Sequence, residues 1–249
     1  MEPLRLFLCG DVMTGRGVDQ ILPHPGNPIL YEPYVHNARE YVLLAEQKHG
    51  PIPRPVDFAY IWGDALIEWQ RAQPDVRIVN LETSITTSET HWLDKEIHYR
   101  MHPQNIGCLS AAQISCCALA NNHVLDWGHA GLLETLDTLD KAGIARAGAG
   151  RNFDEAVAPA VLQVQGQGRV LLFALGSTTS GIPLDWRATA ERPGVFLLED
   201  LSESTAQSVA QHMCSAKQVG DVLIASIHWG ANWGYDIPHE QIRFAHRLV

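Results

Sequence analysis

The chain has 249 residues, 46% of them hydrophobic and 18% charged, which is enough apolar sequence for a large buried core. Its 18 Lys and Arg against 28 Asp and Glu give a net charge of −10, which argues against nonspecific electrostatic binding to nucleic acid or to an anionic membrane. No window reaches the roughly 18 uninterrupted apolar residues of a membrane span, and the apolar run near the N-terminus is too short for a signal sequence. The sequence therefore predicts a soluble, cytoplasmic protein.

Strand-length apolar runs alternate with helical patterns along the chain. The predicted strands are Leu4–Cys9, Val76–Val79, Ser115–Ala120, Val170–Leu175 and Asp221–Ile227. The predicted helices are Tyr60–Arg71, Gly131–Ala142, Leu201–Val219 and Pro238–Leu248. Repetition of strand followed by helix predicts an α/β domain. Runs that are apolar at consecutive positions predict strands covered on both faces.

Two features complicate a simple parallel sheet. The runs Ala160–Gln165 and Arg169–Leu175 flank the turn "GQG", which predicts a β-hairpin and therefore a partly antiparallel sheet. The proline-rich segment Pro23–Pro55 surrounds one amphipathic stretch, His36–His49. We predict a single domain over residues 1–249 with an insertion at 23–55, which could cover a crevice or decorate an edge.

The cysteines indicate free thiols rather than a disulfide framework or a zinc site. They are odd in number and show no C-x-x-C spacing. The five positions are Cys9, Cys108, Cys116, Cys117 and Cys214. Buried thiols in a reducing compartment fit this pattern best.

Polar side chains follow four of the predicted strands. They are Asp11, then Asn80 with Glu82, then Asn121, Asn122 and His123, and finally His228. A single polar residue at a strand end is usually a turn former or a helix cap. Four strand ends instead favour a shared crevice, because ligands of open α/β sheets bind beyond the carboxyl ends of the strands. Carboxylate, amide and imidazole groups without thiolate suit Mn²⁺, Mg²⁺, Fe or Zn²⁺.

Other candidates allow two interpretations each. Arg16 could bind a substrate phosphate or carboxylate with its donor fork, or it could be a surface arginine. Trp229 and Trp233 could line the crevice, although core packing is favoured. Asp126 and Gly128 could contact substrate, although organising the turn and capping the following helix is favoured.

Two further groups are interpreted as ordinary residues. The histidines His91, His98 and His102 span a predicted strand and a proline, so we interpret them as surface or core residues rather than a metal cluster. Ser84 and Ser177 lack a Gly-x-Ser-x-Gly setting, which leaves a serine-hydrolase triad unsupported.

Five segments resemble the CapA family of capsule or poly-gamma-glutamate synthesis proteins, which is related to the calcineurin-like metallophosphoesterases. The segments are "GDVMTGRG", "IVNLETSIT", "LANNHVLDWGHAGLLETLDTL", "AGAGRNFDEA" and "DVLIASIHWGANWG". They follow the family's order and span nearly the whole chain. The resemblance implies a four-layer α/β/β/α sandwich of mixed sheets, with a metal crevice at the strand ends.

The resemblance also implies roles for individual residues. The metal ligands would be Asp11, Glu82, Asn122 and His228, which would hold one or two divalent ions (Mn, Fe, Zn or Mg). His123 would give a proton to the leaving group, oriented by Asp126 or by a backbone carbonyl. The implied reaction is phosphoester hydrolysis on a small-molecule or polymer precursor of capsule synthesis.

The sequence departs from that pattern at two places. Met13 stands where the related phosphoesterases carry a histidine, and the histidines expected to follow the last segment are absent, so the chain resembles a C-terminally truncated member. The alternative function is a non-catalytic factor with a vestigial metal site, which binds polymer or assembles a capsule synthase complex. Family members are often membrane-associated, in contrast to the cytoplasmic location predicted above.

Overall fold

The computed structural model of the protein describes residues 3–249, which form two compact units. The N-terminal unit comprises Leu4–Cys117 and His123–Ala145. The C-terminal unit comprises Pro3, Ala118–Asn122 and Arg146–Val249. Each unit contains both strands and helices, so the predicted α/β class is confirmed.

The elements from the N-terminus to residue 147 are these. The strands are β1 Leu6–Val12, β2 Val76–Leu81, β3 Ser84–Ile85, β4 Arg100–Met101, β5 Cys116–Ala118 and β6 Ala145–Ala147. The α-helices are α1 Arg16–Ile21, α2 Arg39–His49, α3 Ala65–Ala72, α4 Gly107–Ala111 and α5 Gly128–Ala142. Short 3₁₀ turns cover Tyr60–Trp62 and Pro103–Ile106.

The remaining elements belong to the C-terminal unit. The strands are β7 Ala149–Gly150, β8 Ala160–Val164, β9 Gly168–Gly176, β10 Gly194–Val195 and β11 Val222–His228. The α-helices are α6 Phe153–Val157, α7 Glu203–Ala216 and α8 His239–Leu248, and 3₁₀ turns cover Thr178–Ser180 and Leu184–Trp186.

One sheet has four strands in the order β1-β2-β5-β6. Asp11 and Asn80 lie near the ends of its strands β1 and β2. Its strands β1 and β2 are parallel, with Leu6 opposite Val76 and Asp11 opposite Asn80. Both strands run further than predicted, so Asp11 and Asn80 lie inside strands and not after them. The polar pair is accommodated because the two side chains satisfy each other at the end of the ladder.

The expectation that every strand is covered on both faces is wrong for two strands. β2 and β5 are buried almost throughout, as predicted. β1 and β11 contain exposed residues, among them Leu8, which is 55% exposed. Both occupy an edge of their sheet, where a strand has a partner on one side alone. A consecutive apolar run does not distinguish an edge strand from a central one.

A single predicted helix over Tyr60–Arg71 is broken in the structure. The 3₁₀ turn Tyr60–Trp62 ends at Gly63, whose φ of 50° lies in a region that favours glycine. Helix α3 then begins at Ala65 and places Trp69 in the core. The apolar period continued across the glycine, which hid the break from sequence analysis.

The C-terminal unit is built on a mixed sheet in the order β11-β9-β8. The predicted hairpin is confirmed, since β8 pairs antiparallel with β9, and β11 pairs parallel with β9 on its other side. Helices α7 and α8 pack on each other and supply part of one apolar cluster. Its buried members are Leu171, Phe173, Leu175, Leu198, Ala206, Val209, Met213 and Phe244.

The segment 23–55 is tied to the N-terminal unit by polar contacts. Its helix α2 packs against α1, and the buried carboxylate of Asp19 accepts from the Gly26 N–H at 2.7 Å. The same carboxylate accepts from the His102 N–H at 2.9 Å and from the Asn105 side chain at 2.8 Å. Burial raises the pKa of Asp19, although these donors oppose that effect. That 23–55 is an insertion stays a prediction.

The thiols are partly as expected. All five cysteines in the described residues are free, and Cys108, Cys116 and Cys117 are buried, but Cys9 and Cys214 are exposed. Cys9 is exposed because it lies on the edge strand β1. None of the helices in residues 3–249 has the length and apolarity needed to cross a bilayer.

Candidate active site

Polar residues meet at the ends of β1 and β2. The pairing shifts by a bulge between Cys9 and Asp11, after which the Asn80 amide donates to Asp11 Oδ1 at 2.6 Å. Glu82 follows β2 directly, and its N–H donates to the Val12 carbonyl at 3.0 Å. The sheet register therefore brings the two predicted carboxylate ligands, Asp11 and Glu82, to the ends of neighbouring strands.

The loop after Asp11 is closely packed. The Thr14 N–H donates to Thr83 Oγ1 at 3.2 Å, and the Gly15 N–H donates to Met13 Sδ at 3.1 Å. A Cβ added at Gly15 would lie 2.9 Å from the backbone nitrogen and oxygen of Arg100. Gly15 thus permits a close backbone approach, which gives this glycine of the "GDVMTGRG" segment a structural reason.

His123 is buried, and a carboxylate holds its ring. Its Nδ1 lies 2.6 Å from Asp126 Oδ2, and 6% of the residue is exposed. Asp126 is fully buried and also accepts from Lys95 Nζ at 2.6 Å and from the Tyr99 N–H at 2.7 Å. Because those two partners are donors, the carboxylate acts as acceptor and His123 Nδ1 carries the proton. Nε2 lies 3.7 Å from Glu82 Oε1.

An aromatic ring stacks on His123, and a guanidinium lies near that ring. The Tyr99 ring lies parallel to the imidazole, with centroids 3.8 Å apart and an interplanar angle of 22°. Arg16 Cζ lies 4.7 Å from the Tyr99 centroid and 4.9 Å from the Tyr41 centroid. Arg16 Nε donates to Glu32 Oε1 at 2.6 Å, and the side chain is 18% exposed. Arg16 is thus held by protein groups and does not extend into solvent.

The remaining predicted ligands lie in the C-terminal unit. His228 ends β11, and its Nε2 lies 2.9 Å from Asn122 Oδ1. The His228 carbonyl accepts from the Ser177 N–H at 3.0 Å and from the Ser180 hydroxyl at 3.2 Å, so the backbone here is well anchored. Since the amide oxygen can only accept, the imidazole donates through Nε2.

The structure thus brings the site residues together in two groups. One group contains Asp11, Asn80, Glu82, His123, Asp126 and Arg16, and the other contains Asn122 and His228. That both groups form one crevice stays a prediction. Asn122 and His123 are consecutive residues, and the peptide bond that joins them is one of the points where the chain passes from one unit to the other.

The donor types in both groups are those that hard or borderline divalent cations take. Asp11 and Glu82 supply carboxylates, Asn122 an amide oxygen and His228 an imidazole. No set of three or more His, Cys, Asp or Glu side chains within residues 3–249 is already arranged to hold a metal. The residues fit such a cation in chemical type.

The other candidates from the sequence have mostly structural surroundings. His98 is buried, with Nε2 2.8 Å from the Trp92 carbonyl, and burial lowers its pKa. His102 Nδ1 accepts from the Gln104 N–H at the start of a 3₁₀ turn. Trp229 packs against Phe244, as favoured.

The prediction that Trp233 packs in the core is wrong. This residue is 91% exposed, because the loop after β11 carries it away from the apolar cluster of the C-terminal unit. The other tryptophan of the "HWGANWG" segment, Trp229, packs against that cluster.

Sequence analysis missed three residues that contact His123, Asp126 or Arg16. Lys95 and Tyr99 lie in the stretch "DKEIHYRM", and Glu32 lies in the proline-rich segment. None of them follows a predicted strand, which was the signal used to find the others. A lysine and a tyrosine in such a stretch carry no pattern that distinguishes them from surface residues.

Known proteins resemble this chain over its whole length. A probable polyglutamine synthesis accessory protein of Mycobacterium tuberculosis is 45% identical over 249 residues, 100% of this chain and 66% of that protein. The capsule biosynthesis protein CapA of Bacillus anthracis is 24% identical over 100% of the chain and 52% of its own length. The PGA biosynthesis protein CapA of Bacillus subtilis is 24% identical over 99% and 54%.

The chain therefore spans about two thirds of the mycobacterial relative and about half of the two Bacillus relatives. The family described as bacterial capsule synthesis protein PGA_cap matches residues 5–249. A match over nearly every residue means that this chain belongs to the PGA_cap family of bacterial capsule synthesis proteins.

Proposed function

We propose that this chain carries a metal-dependent, phosphoesterase-like hydrolytic site that acts in capsule or poly-glutamate synthesis. The observation that carries the proposal is the buried pair of His123 and Asp126, whose Nδ1 and Oδ2 lie 2.6 Å apart. A histidine fixed by a buried carboxylate is the usual arrangement for moving a proton in catalysis. We also propose that the chain adopts the four-layer α/β/β/α sandwich that the phosphoesterase resemblance implies.

The residues would divide the work as follows. Asp126 holds the proton of His123 on Nδ1 and stabilises the positive charge of the ring when Nε2 is also protonated. Lys95 and the Tyr99 N–H keep Asp126 in position, since both donate to its carboxylate. Nε2 of His123 then delivers a proton to the leaving oxygen of a phosphoester.

One or two divalent cations would be held by oxygen and imidazole donors. The residues that we assign to them are Asp11 and Glu82 in the N-terminal unit and Asn122 and His228 in the C-terminal unit, with Mn, Fe, Zn or Mg as candidates. When bound, such a cation supplies Lewis-acid polarisation of the ester and an activated water as nucleophile. Asn80, which donates to Asp11, would orient that carboxylate as a supporting partner.

A second candidate function rests on a relative's name. The mycobacterial relative is called an accessory protein, which favours a non-catalytic role in assembling a synthase complex or in holding the polymer. This candidate explains the family match equally well. It gives no reason for a buried histidine held by a fully buried carboxylate.

The two candidates differ in what His123 is needed for. We expect Mn²⁺-loaded protein to hydrolyse bis(p-nitrophenyl) phosphate, and His123→Ala to lower turnover by about 10²–10⁴-fold. His49→Ala is the matched control, because His49 is an exposed histidine at the end of α2 in the same unit. Thermal melts of both variants would establish that they are folded.

Two outcomes would reject the hydrolase. One is the absence of turnover by the parent protein with each of Mn²⁺, Zn²⁺, Fe²⁺ and Mg²⁺. The other is a folded His123→Ala variant that retains the parent's rate. Either result would leave the accessory role as the better account of the family match.

A further inference from the structure

The guanidinium of Arg16 is fixed in place with one edge left available. Its Cζ lies within 5 Å of the ring centroids of Tyr41 (4.9 Å) and Tyr99 (4.7 Å), and Nε donates to Glu32. Within residues 3–249, Nε is the one nitrogen of this guanidinium that makes a hydrogen bond. Nη1 and Nη2 therefore keep four N–H donors, and the side chain is 18% exposed.

Arg16 is also held in a costly backbone conformation. Its φ of 49° lies in the left-handed region, which costs energy for a residue other than glycine. Such conformations persist where the surrounding structure overrides them, and they concentrate at functional positions. Glu32 explains the use of Nε, but it does not explain why Arg16 in this conformation lies against Tyr99, the residue that stacks on His123.

The Tyr99 hydroxyl is a second available donor. Tyr99 stacks on His123 with its ring and binds Asp126 with its N–H, while its hydroxyl makes no hydrogen bond within the described residues. Burial raises the pKa of Tyr99, and Glu82, Glu32 and Asp126 add to that effect while Arg16 opposes it. The phenol therefore stays protonated at neutral pH and can donate.

We propose that the Nη groups of Arg16 and the hydroxyl of Tyr99 form an oxyanion-binding edge, which receives a phosphate or carboxylate group of the substrate beside His123. The proposal deepens the proposed function, since it names the substrate feature that the same site would recognise. A planar arginine fork suits both anions, and the stacked rings remove the entropy cost of ordering it.

The charge around this edge sets a condition on binding. Arg16 is already paired with Glu32, and the carboxylate of Glu82 lies 3.7 Å from His123 Nε2. An anion would therefore bind more tightly when a divalent cation offsets these carboxylates. Binding should rise with Mn²⁺, and the contribution of Arg16 and Tyr99 should be measurable at constant Mn²⁺.

Calorimetry with two conservative variants tests the edge. Arg16→Lys keeps the charge but loses the fork, and Tyr99→Phe keeps the stacking ring and the N–H but loses the hydroxyl. The probes are inorganic phosphate and a γ-glutamyl pentapeptide, each with and without Mn²⁺. We expect each variant to bind the preferred probe about tenfold more weakly than the parent. Arg71→Lys and Tyr60→Phe are the controls, since both residues are exposed in the same unit.

The outcomes separate this edge from the hydrolase. Preferential weakening of phosphate binding identifies a phosphate group as the ligand, and preferential weakening of pentapeptide binding identifies a carboxylate. Weaker binding in folded variants, with no turnover by the parent, supports the edge and rejects the hydrolase. Turnover with an unchanged KM in both variants rejects the edge and leaves the hydrolase standing. Parent protein that binds neither probe, or variants that bind like the parent, overturns the proposal.

Discussion

The two histidines of the candidate site are held in different ways. His123 is almost fully buried, its Nδ1 bonds to Asp126, and Tyr99 stacks on its ring. His228 is half-buried at the end of the edge strand β11, and its Nε2 lies 2.9 Å from the amide oxygen of Asn122. One imidazole is fixed by a buried charged network, and the other by a neutral partner.

This difference indicates two kinds of chemistry. A carboxylate that accepts from Nδ1 fixes both the tautomer and the direction of Nε2, which suits a residue that must deliver a proton. An amide that accepts from Nε2 can exchange that contact for a cation at low cost, because a neutral hydrogen bond contributes about 0.5–1.5 kcal/mol. Under the proposed function, this contrast is the reason for assigning proton delivery to His123 and cation binding to His228.

Asp126→Asn should have the largest effect. Asp126 is fully buried, and its ion pair with Lys95, whose side chain is 12% exposed, would be lost. Removing one partner of a buried ion pair costs about 3–5 kcal/mol, so we expect the free energy of unfolding to fall by this amount. Urea unfolding of the variant measures it.

The matched control is an exposed acidic residue of the same unit. Glu68→Gln removes a carboxylate that pairs with Arg71 on the surface, and we expect little change. If Asp126→Asn and Glu68→Gln change the free energy of unfolding equally, the buried contacts of Asp126 do not stabilise the surroundings of His123.

Truncation of core residues should come next. Leu119, which follows β5, is fully buried, and Leu119→Ala should lower the free energy of unfolding by about 2–5 kcal/mol. Ile227, which we expected to be equally buried, is half-buried on the edge strand β11, so Ile227→Ala should cost less. Thermal melts compare the two. A larger loss from Ile227→Ala would mean that the edge strand is covered in solution.

Much of the fold could be predicted because its strands and helices carry strong local patterns. The run "VRIV" lies inside β2, and the hairpin around "GQG" has the predicted pairing. Helix α5 begins at Gly128, three residues before the predicted start. The first turn was missed because its residues "GHA" carry no apolar period. The edge position of β1 could not be predicted, since it depends on which strands become neighbours and not on local sequence.

The positions of residues at strand ends were predictable, whereas their roles stay predictions. Glu82 directly follows β2, His228 is the last residue of β11, and the register of β1 with β2 accounts for Asp11 beside Asn80. Tyr99 was missed because it contacts His123 through tertiary packing of a loop. No spacing rule links residues that meet only after the chain has folded.

Asn122→Ala tests the weaker of the two arrangements. It removes the acceptor of His228 Nε2, so we expect the free energy of unfolding to fall by about 0.5–1.5 kcal/mol. Under the proposed function, affinity for Mn²⁺ should fall as well, because an oxygen donor is lost. Calorimetric titration of Mn²⁺ measures this, with Asn232→Ala as an exposed control in the same unit. Unchanged Mn²⁺ affinity would remove Asn122 from the ligand set.

The smallest effect should appear at the other end of β11. Asp221 precedes the strand, and Arg169 on β9 donates to it through Nε at 2.9 Å. This contact lowers the pKa of Asp221, so its stabilisation is present above the ordinary carboxyl pKa of about 3.9 and is lost as the pH falls through the lower folded value. Melting temperatures of the parent between neutral pH and pH 2.5 should therefore fall more steeply than those of Arg169→Gln. Arg71→Gln, which removes one surface arginine elsewhere, should retain the parent's slope. Parallel curves for the parent and Arg169→Gln would show that this ion pair does not anchor the start of the strand that ends in His228.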